Sequence, residues 1–194
     1  KKLFLDLEFK GVARRTELFD GEDEVETPIT VEVKEIKSAK EFFDIKLPKE
    51  FSLVIGDSVN VFASGVEYSL KIKETFFDDG FDYEECILLL KDLFEDKNNK
   101  IIAYSRKVLS DILFEQGISL NAFVEDVDIL RYLCDFSGRE ENLKNVLTYY
   151  NLSTVTPAHS LYILYKNFTK KLSEEDTEKL YYEVELPLSK ILTD

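Results

Sequence analysis

Residues Lys100 to Leu133 change their hydrophobic pattern four times in quick succession, and few folds allow that. Ile101 to Tyr104 is a short continuous apolar run, the mark of a buried strand. Val108, Leu109, Ile112 and Leu113 then recur at helical spacing, and Gln116–Gly117 stops that helix. An extended piece follows from Ile118 to Glu125, and a second helix turns Ile129, Leu130, Leu133 and Cys134 inward. Strand, helix, strand, helix is the interior of an α/β sheet domain. The junction after the first strand, Tyr104–Ser105–Arg106–Lys107, lies at that strand's carboxyl end, where open α/β sheets keep their ligands.

The flanking sequence builds outward from this centre. Phe51–Ile55, Val59–Ala63 and Val66–Ile72 are apolar or alternating segments joined by turns at Gly56–Asp57–Ser58 and Ser64–Gly65, which predicts an antiparallel meander. Upstream, a domain is expected to begin near Pro28. Ile29, Val31 and Val33 alternate with polar residues as in a half-buried strand near a sheet edge, and Ser38 to Glu41 has capping-box form before a short helix with Phe42 and Phe43. A helix is predicted from Asp82 to Asp96, with Cys86, Leu89, Leu90, Leu93 and Phe94 on one side. After Gly138 the pattern is helical throughout. One helix is marked by Leu143, Val146, Leu147 and Tyr150, and the next by Leu161, Leu164, Tyr165, Phe168 and Leu172. The last carries Leu180, Tyr181, Val184, Leu188, Ile191 and Leu192, kinked or divided at Pro187.

Composition removes several function classes. With 39 Asp plus Glu against 25 Lys plus Arg the net charge is −14, and such a surface repels phosphate backbones. No apolar run exceeds about five residues, against the roughly 20 that span a bilayer, so no membrane partner is expected and the protein is read as cytoplasmic. Cys86 and Cys134 both fall on apolar helix faces, which suits buried thiols better than a disulfide or a metal site. The chain contains no methionine, which suggests a piece of a longer protein. Asp20 to Glu26 is an acidic run read as a linker.

Three antiparallel strands, a helix, a strand, a helix and further helices resemble a ribonuclease H-like 3′–5′ exonuclease domain. At residue level, Lys100 to Leu133 resembles the second exonuclease motif region of bacterial DNA polymerase I, a family A polymerase. There the pattern is a strand, a junction aspartate, a helix, Gly-Ile, and an Asp-initiated helix ending in Tyr-Leu. Here those features fall on Ile101–Tyr104, Ser105, Lys107–Glu115, Gly117–Ile118, Asp126 and Tyr132–Leu133. Glu185 to Leu192 (ELPLSKIL) resembles the segment leading into the polymerase domain, and Leu3 to Gly11 (LFLDLEFKG) the end of the preceding 5′ nuclease domain. The resemblance implies an α/β, ribonuclease H-like fold of the type whose exonucleases use four acidic ligands, a mixed sheet with an antiparallel meander flanked by helices. It also implies a division at residues 1–26 (end of the nuclease domain plus linker) and 27–194 (exonuclease-like domain).

In that family two divalent cations roughly 4 Å apart clamp the scissile phosphate, and carboxylates from three motifs hold them. The first motif is Asp-x-Glu on the first meander strand, yet Phe51 to Gly56 contains no carboxylate and Asp57 lies in the turn beyond. The second offers Ser105, a neutral hydroxyl. The third falls within Asn151 to Leu164, with Ser153 and Pro157 at the Tyr and Asp positions. From Asn142 to Leu172 there is no Asp or Glu over 31 residues, so no shift of register supplies a ligand.

Other candidates have plainer roles. Asp126 and Asp128 sit at a helix start, where carboxylates cap exposed N–H groups. Asp78, Asp79 and Asp82 surround Gly80 in a predicted loop and read as solvated charge. His159, the only histidine, reads as a surface imidazole without a nucleophile motif nearby. Lys144, Lys166, Lys170 and Lys171 form a basic patch that reads as a weak DNA contact, as a contact with an acidic surface elsewhere in the parent protein, or as simple solubility. The expectation is a degenerate exonuclease-like domain with no catalytic, metal or cofactor residues of its own. It would support the polymerase domain of the same chain, reach DNA mainly through that parent, and be monomeric. The alternatives are an active exonuclease with non-standard ligands such as Asp57 and Asp126, and a free-standing interaction module.

Overall fold

The computed structural model describes residues 31–73, 75, 79–134 and 142–193. The expected upstream segment and linker (1–26), together with Pro28, Ile29, Asp78 and Gly138, lie outside these residues. The meander is present: β2 (Glu50–Ile55), β3 (Ser58–Ala63) and β4 (Val66–Lys71) pair antiparallel in sequence. Ser64 and Gly65, at φ 51° and 83°, both take the left-handed conformation that a two-residue hairpin turn demands. β5 (Lys100–Ala103) pairs parallel with β2, and β6 (Phe123–Asp126) parallel with β5. β1 (Glu32–Ile36) adds in parallel to β4, giving the mixed sheet order β1-β4-β3-β2-β5-β6. This is the architecture expected from the sequence, an α/β domain with an antiparallel meander flanked by helices.

Alternation along the strands distributes the core between two faces. Phe51, Leu53, Ile101 and Ala103 point to one side, beneath α1 (Ala39–Asp44), α2 (Tyr83–Leu89), α3 (Lys91–Glu95) and α4 (Arg106–Glu115). Ile102, with Val54 and Tyr104, points to the other side, beneath α5 (Val127–Cys134), α6 (Leu143–Tyr149) and α7 (Pro157–Glu174). Leu161, Leu164, Tyr165, Phe168 and Leu172 of α7 are all buried, as their spacing predicts. The chain ends in a helical turn α8 (Glu178–Leu180), a π-helical turn (Tyr181–Glu185) and α9 (Leu186–Thr193).

Four expectations are corrected. Asp82–Asp96 is not one helix: Leu90 takes φ −89° and ψ −1°, its N–H bonds Ile87 O, and the break allows Ile87, Leu90 and Phe94 all to be buried. Val108 is 57% exposed, because α4 turns Leu109 and Leu113 inward and leaves Val108 facing the strand ends. In β1 the buried residue is Ile36, whose parity is opposite to Val33, and Val33 is exposed at the sheet edge. In the last segment only Tyr181 and Leu186 are buried, while Leu180, Val184, Leu188, Ile191 and Leu192 face outward. Pro187 divides that segment as expected. It has no N–H, and its ring would press on the carbonyl four residues back. The preceding backbone widens to a π turn, in which Leu186 N–H bonds Tyr181 O.

Candidate functional site: the strand-end cleft

The carboxyl ends of β2 and β5 open into a cleft of about 640 Å³. Its walls are largely aliphatic: Val54 and Ile55 from β2, Val108 and Ile112 from α4, and Leu143 from α6. Polar groups enter from the two helix starts that frame it. Ser105 follows β5 and is the N-cap of α4, its Oγ accepting the Val108 N–H at 3.5 Å. Asn142 caps α6 in the same way, accepting the Asn145 N–H at 2.9 Å.

Asp111 and Asp128 are the two carboxylates among the lining residues. Asp111 is exposed on α4. Asp128 is engaged: its Oδ1 accepts from the Tyr104 hydroxyl at 3.1 Å and from Arg131 Nε and Nη2 at 3.0 and 2.9 Å. Burial, then the Asp128 charge, pushes the Tyr104 phenol up, so it stays a donor. The guanidinium thus balances the Asp128 charge that a divalent cation would otherwise need.

Asp126 lies directly beneath. It is 3% exposed, and both of its oxygens accept backbone N–H groups. Oδ1 takes Asp128 and Ile129 at 3.1 Å each, and Oδ2 takes Arg106 at 2.8 Å, so one carboxylate holds the first turns of both α5 and α4. Burial pushes its pKa up to about 6 although these N–H groups pull the other way. The capping role expected of Asp126 is met, and it extends to a second helix.

The remaining sequence candidates are dispersed. Asp57 is exposed on the β2–β3 turn, Ser153 on the turn before α7, and Pro157 in the first turn of α7. Asp82 is the N-cap of α2 and lies 3.8 Å from Lys73 Nζ, while Asp79 is exposed. Lys171 Nζ donates to Cys134 O, and Lys166 lies over the Tyr162 ring. Both cysteines are buried thiols, and the Cys134 thiol donates to Phe168 O at 3.5 Å. His159 is not at the surface. It is buried against Phe62, with ring centroids 4.5 Å apart, because α7 is laid directly on β2 and β3.

Two buried carboxylates were missed by sequence reasoning. Glu67 of β4 is 1% exposed and accepts the His159 N–H at 2.9 Å, satisfying a donor at the start of α7. Glu125 of β6, also 1% exposed, accepts from the hydroxyls of Tyr181 (3.0 Å), Tyr165 (3.2 Å) and Tyr182 (3.4 Å), and lies 3.1 Å from Lys100 Nζ. Their partners are remote in sequence, so no local spacing marks them.

A pair of divalent cations does not fit these residues. Hard cations need several oxygen ligands with net negative charge, and the strand ends offer valine, isoleucine, a capping serine and an arginine-paired aspartate. Among the described residues no group of three or more His, Cys, Asp or Glu side chains could hold a metal ion. Among them, too, no helix is long and apolar enough to cross a membrane.

No protein-family model and no curated protein matches the chain. Among solved structures it is similar to the RNase D of Trypanosoma brucei, at 8% sequence identity and a TM-score of 0.47. The match covers 73% of this chain and 66% of the trypanosome chain. A likeness that distant carries no statement about activity.

Proposed function

We propose that this chain is a 3′–5′ exonuclease-like domain whose metal site has been lost, and that it serves as a structural domain of a bacterial DNA polymerase I. The observation that carries the reading is the strand-end cleft. On this reading the strand ends are where a two-metal nuclease would carry its ligands, and the first meander strand, Phe51 to Gly56, and the junction at Ser105 present no carboxylate there. The residue-level resemblance of Lys100–Leu133 and Glu185–Leu192 supports the polymerase I context.

On this reading the domain has no cofactor of its own and acts as a monomeric spacer in the cytoplasm. It touches DNA chiefly through its parent, in keeping with its charge of −14. Its partner is the polymerase domain, and the outward apolar residues of α9 are the surface available for that packing.

The test uses 3′-labelled single-stranded DNA and RNA with Mg²⁺ or Mn²⁺. The expected result is no nucleotide release above a protein-free control, and calorimetry shows no micromolar binding of either cation. Metal-dependent release that persists through repeated purification would sink the reading.

A further inference from the structure

The last described residues touch the cleft only indirectly, and the route is specific. Between Glu178 and Thr193 only Tyr181 and Leu186 are buried, so little apolar burial holds this segment down. A segment with so few buried side chains opens at a fraction of the cost of unfolding the sheet. What holds it in addition is polar. The Tyr181 hydroxyl, on a fully buried ring, donates to Glu125 Oε2 at 3.0 Å and accepts the Asp126 N–H at 3.0 Å. Tyr182, the next residue of the π turn, adds its hydroxyl to Glu125 Oε1 at 3.4 Å. At the far end of α9, Thr193 Oγ1 accepts from Arg106 Nε at 3.3 Å.

Both anchor points lead to the same place. Asp126, bonded through its backbone N–H to Tyr181, is the residue whose carboxylate caps α4 and α5. Arg106, bonded to Thr193, is the first residue of α4. Ser105 and Asp128, at those two helix starts, line the cleft.

We propose that residues 178–193 form a strap, latched by Tyr181 and Tyr182 onto Glu125 and Asp126, whose seating fixes the starts of α4 and α5 beside the cleft. When the strap lifts, Asp126 N–H loses its acceptor in a buried site, the carboxylate shifts, and the first turns of α4 and α5 loosen together. A partner that binds the lifted strap in preference to the seated one therefore changes the shape of the cleft without touching it. The device does not depend on whether the cleft ever cleaved a phosphodiester.

Amide hydrogen exchange, followed residue by residue in the full chain, tests this. Tyr181→Phe keeps the ring and removes the latch. The expected result is at least tenfold faster exchange at Arg106, Asp128 and Ile129, with Val59 and Val61 in the meander unchanged. Tyr182→Phe removes only the 3.4 Å contact and gives a smaller acceleration at the same three amides; it also serves as the reading variant should Tyr181→Phe not fold. Unchanged rates at those three amides, or an equal acceleration of Val59 and Val61, would overturn the proposal.

Discussion

Asp126 is a single residue on which opposing forces can be read. Three backbone N–H groups favour its ionised form, burial and the neighbouring Asp128 disfavour it, and burial wins, at a pKa of about 6. A carboxyl raised above its unfolded value binds its proton more tightly when folded, so stability falls as pH rises from about 4 to about 6. His159 works in the other direction. Its pKa is lowered, mainly by burial, so the unfolded chain takes up the proton first and stability rises as pH climbs towards 6.5. Single variants separate the two. In urea midpoints measured from pH 4 to 7, Asp126→Asn removes the downward slope and His159→Phe the upward one. If the midpoints of the parent and both variants ran parallel, neither group would be responsible.

Elements were more legible than sites. The meander showed itself through alternation and through Ser64–Gly65, and α7 through five apolar residues at helical spacing that are all buried. The outward face of α9 could not be read. Leu188, Ile191 and Leu192 have the spacing of an inward face, and nothing local says that the π turn at Pro187 and the polar grip of Tyr181 leave them outside. The polar pairings around the cleft were less legible. That Phe51–Gly56 lacks a carboxylate was plain, but that Asp128 is matched by Arg131 three residues on, or that Glu67 starts α7 from 92 positions away, needs the folded chain. Ser105 shows how an N-cap can be filled by more than one residue type. Serine and aspartate are comparable N-caps, so α4 begins equally well with either. Ser105→Ala is expected to cost about 0.5–2 kcal/mol, while Ser105→Asp leaves the unfolding free energy within about 0.5 kcal/mol and confers no nuclease activity. A midpoint unaffected by Ser105→Ala would show that the cap contributes nothing.

At the scale of the whole molecule, two cores share one sheet, and the charge surrounding them has one dominant sign. The net charge of −14 makes copies of the chain repel one another at neutral pH. The outer face of α9 pulls the other way, with Ile191 and Leu192 each about three-quarters exposed. Colloidal behaviour then depends on which of the two is screened. The Debye length shrinks from about 10 Å at 0.1 M salt to about 3 Å at 1 M, and near the sequence pI of about 4.6 the net charge itself disappears. Light scattering of the chain is therefore expected to rise with salt at neutral pH and steeply towards pH 4.6, and Ile191→Glu with Leu192→Lys to suppress both. Scattering that stays flat across both series would mean that the face does not associate. If it does rise, the fifth of the residues that are acidic keep a sticky helix dispersed in water, and the chain carries in its own charge the shield that a docked partner would otherwise provide.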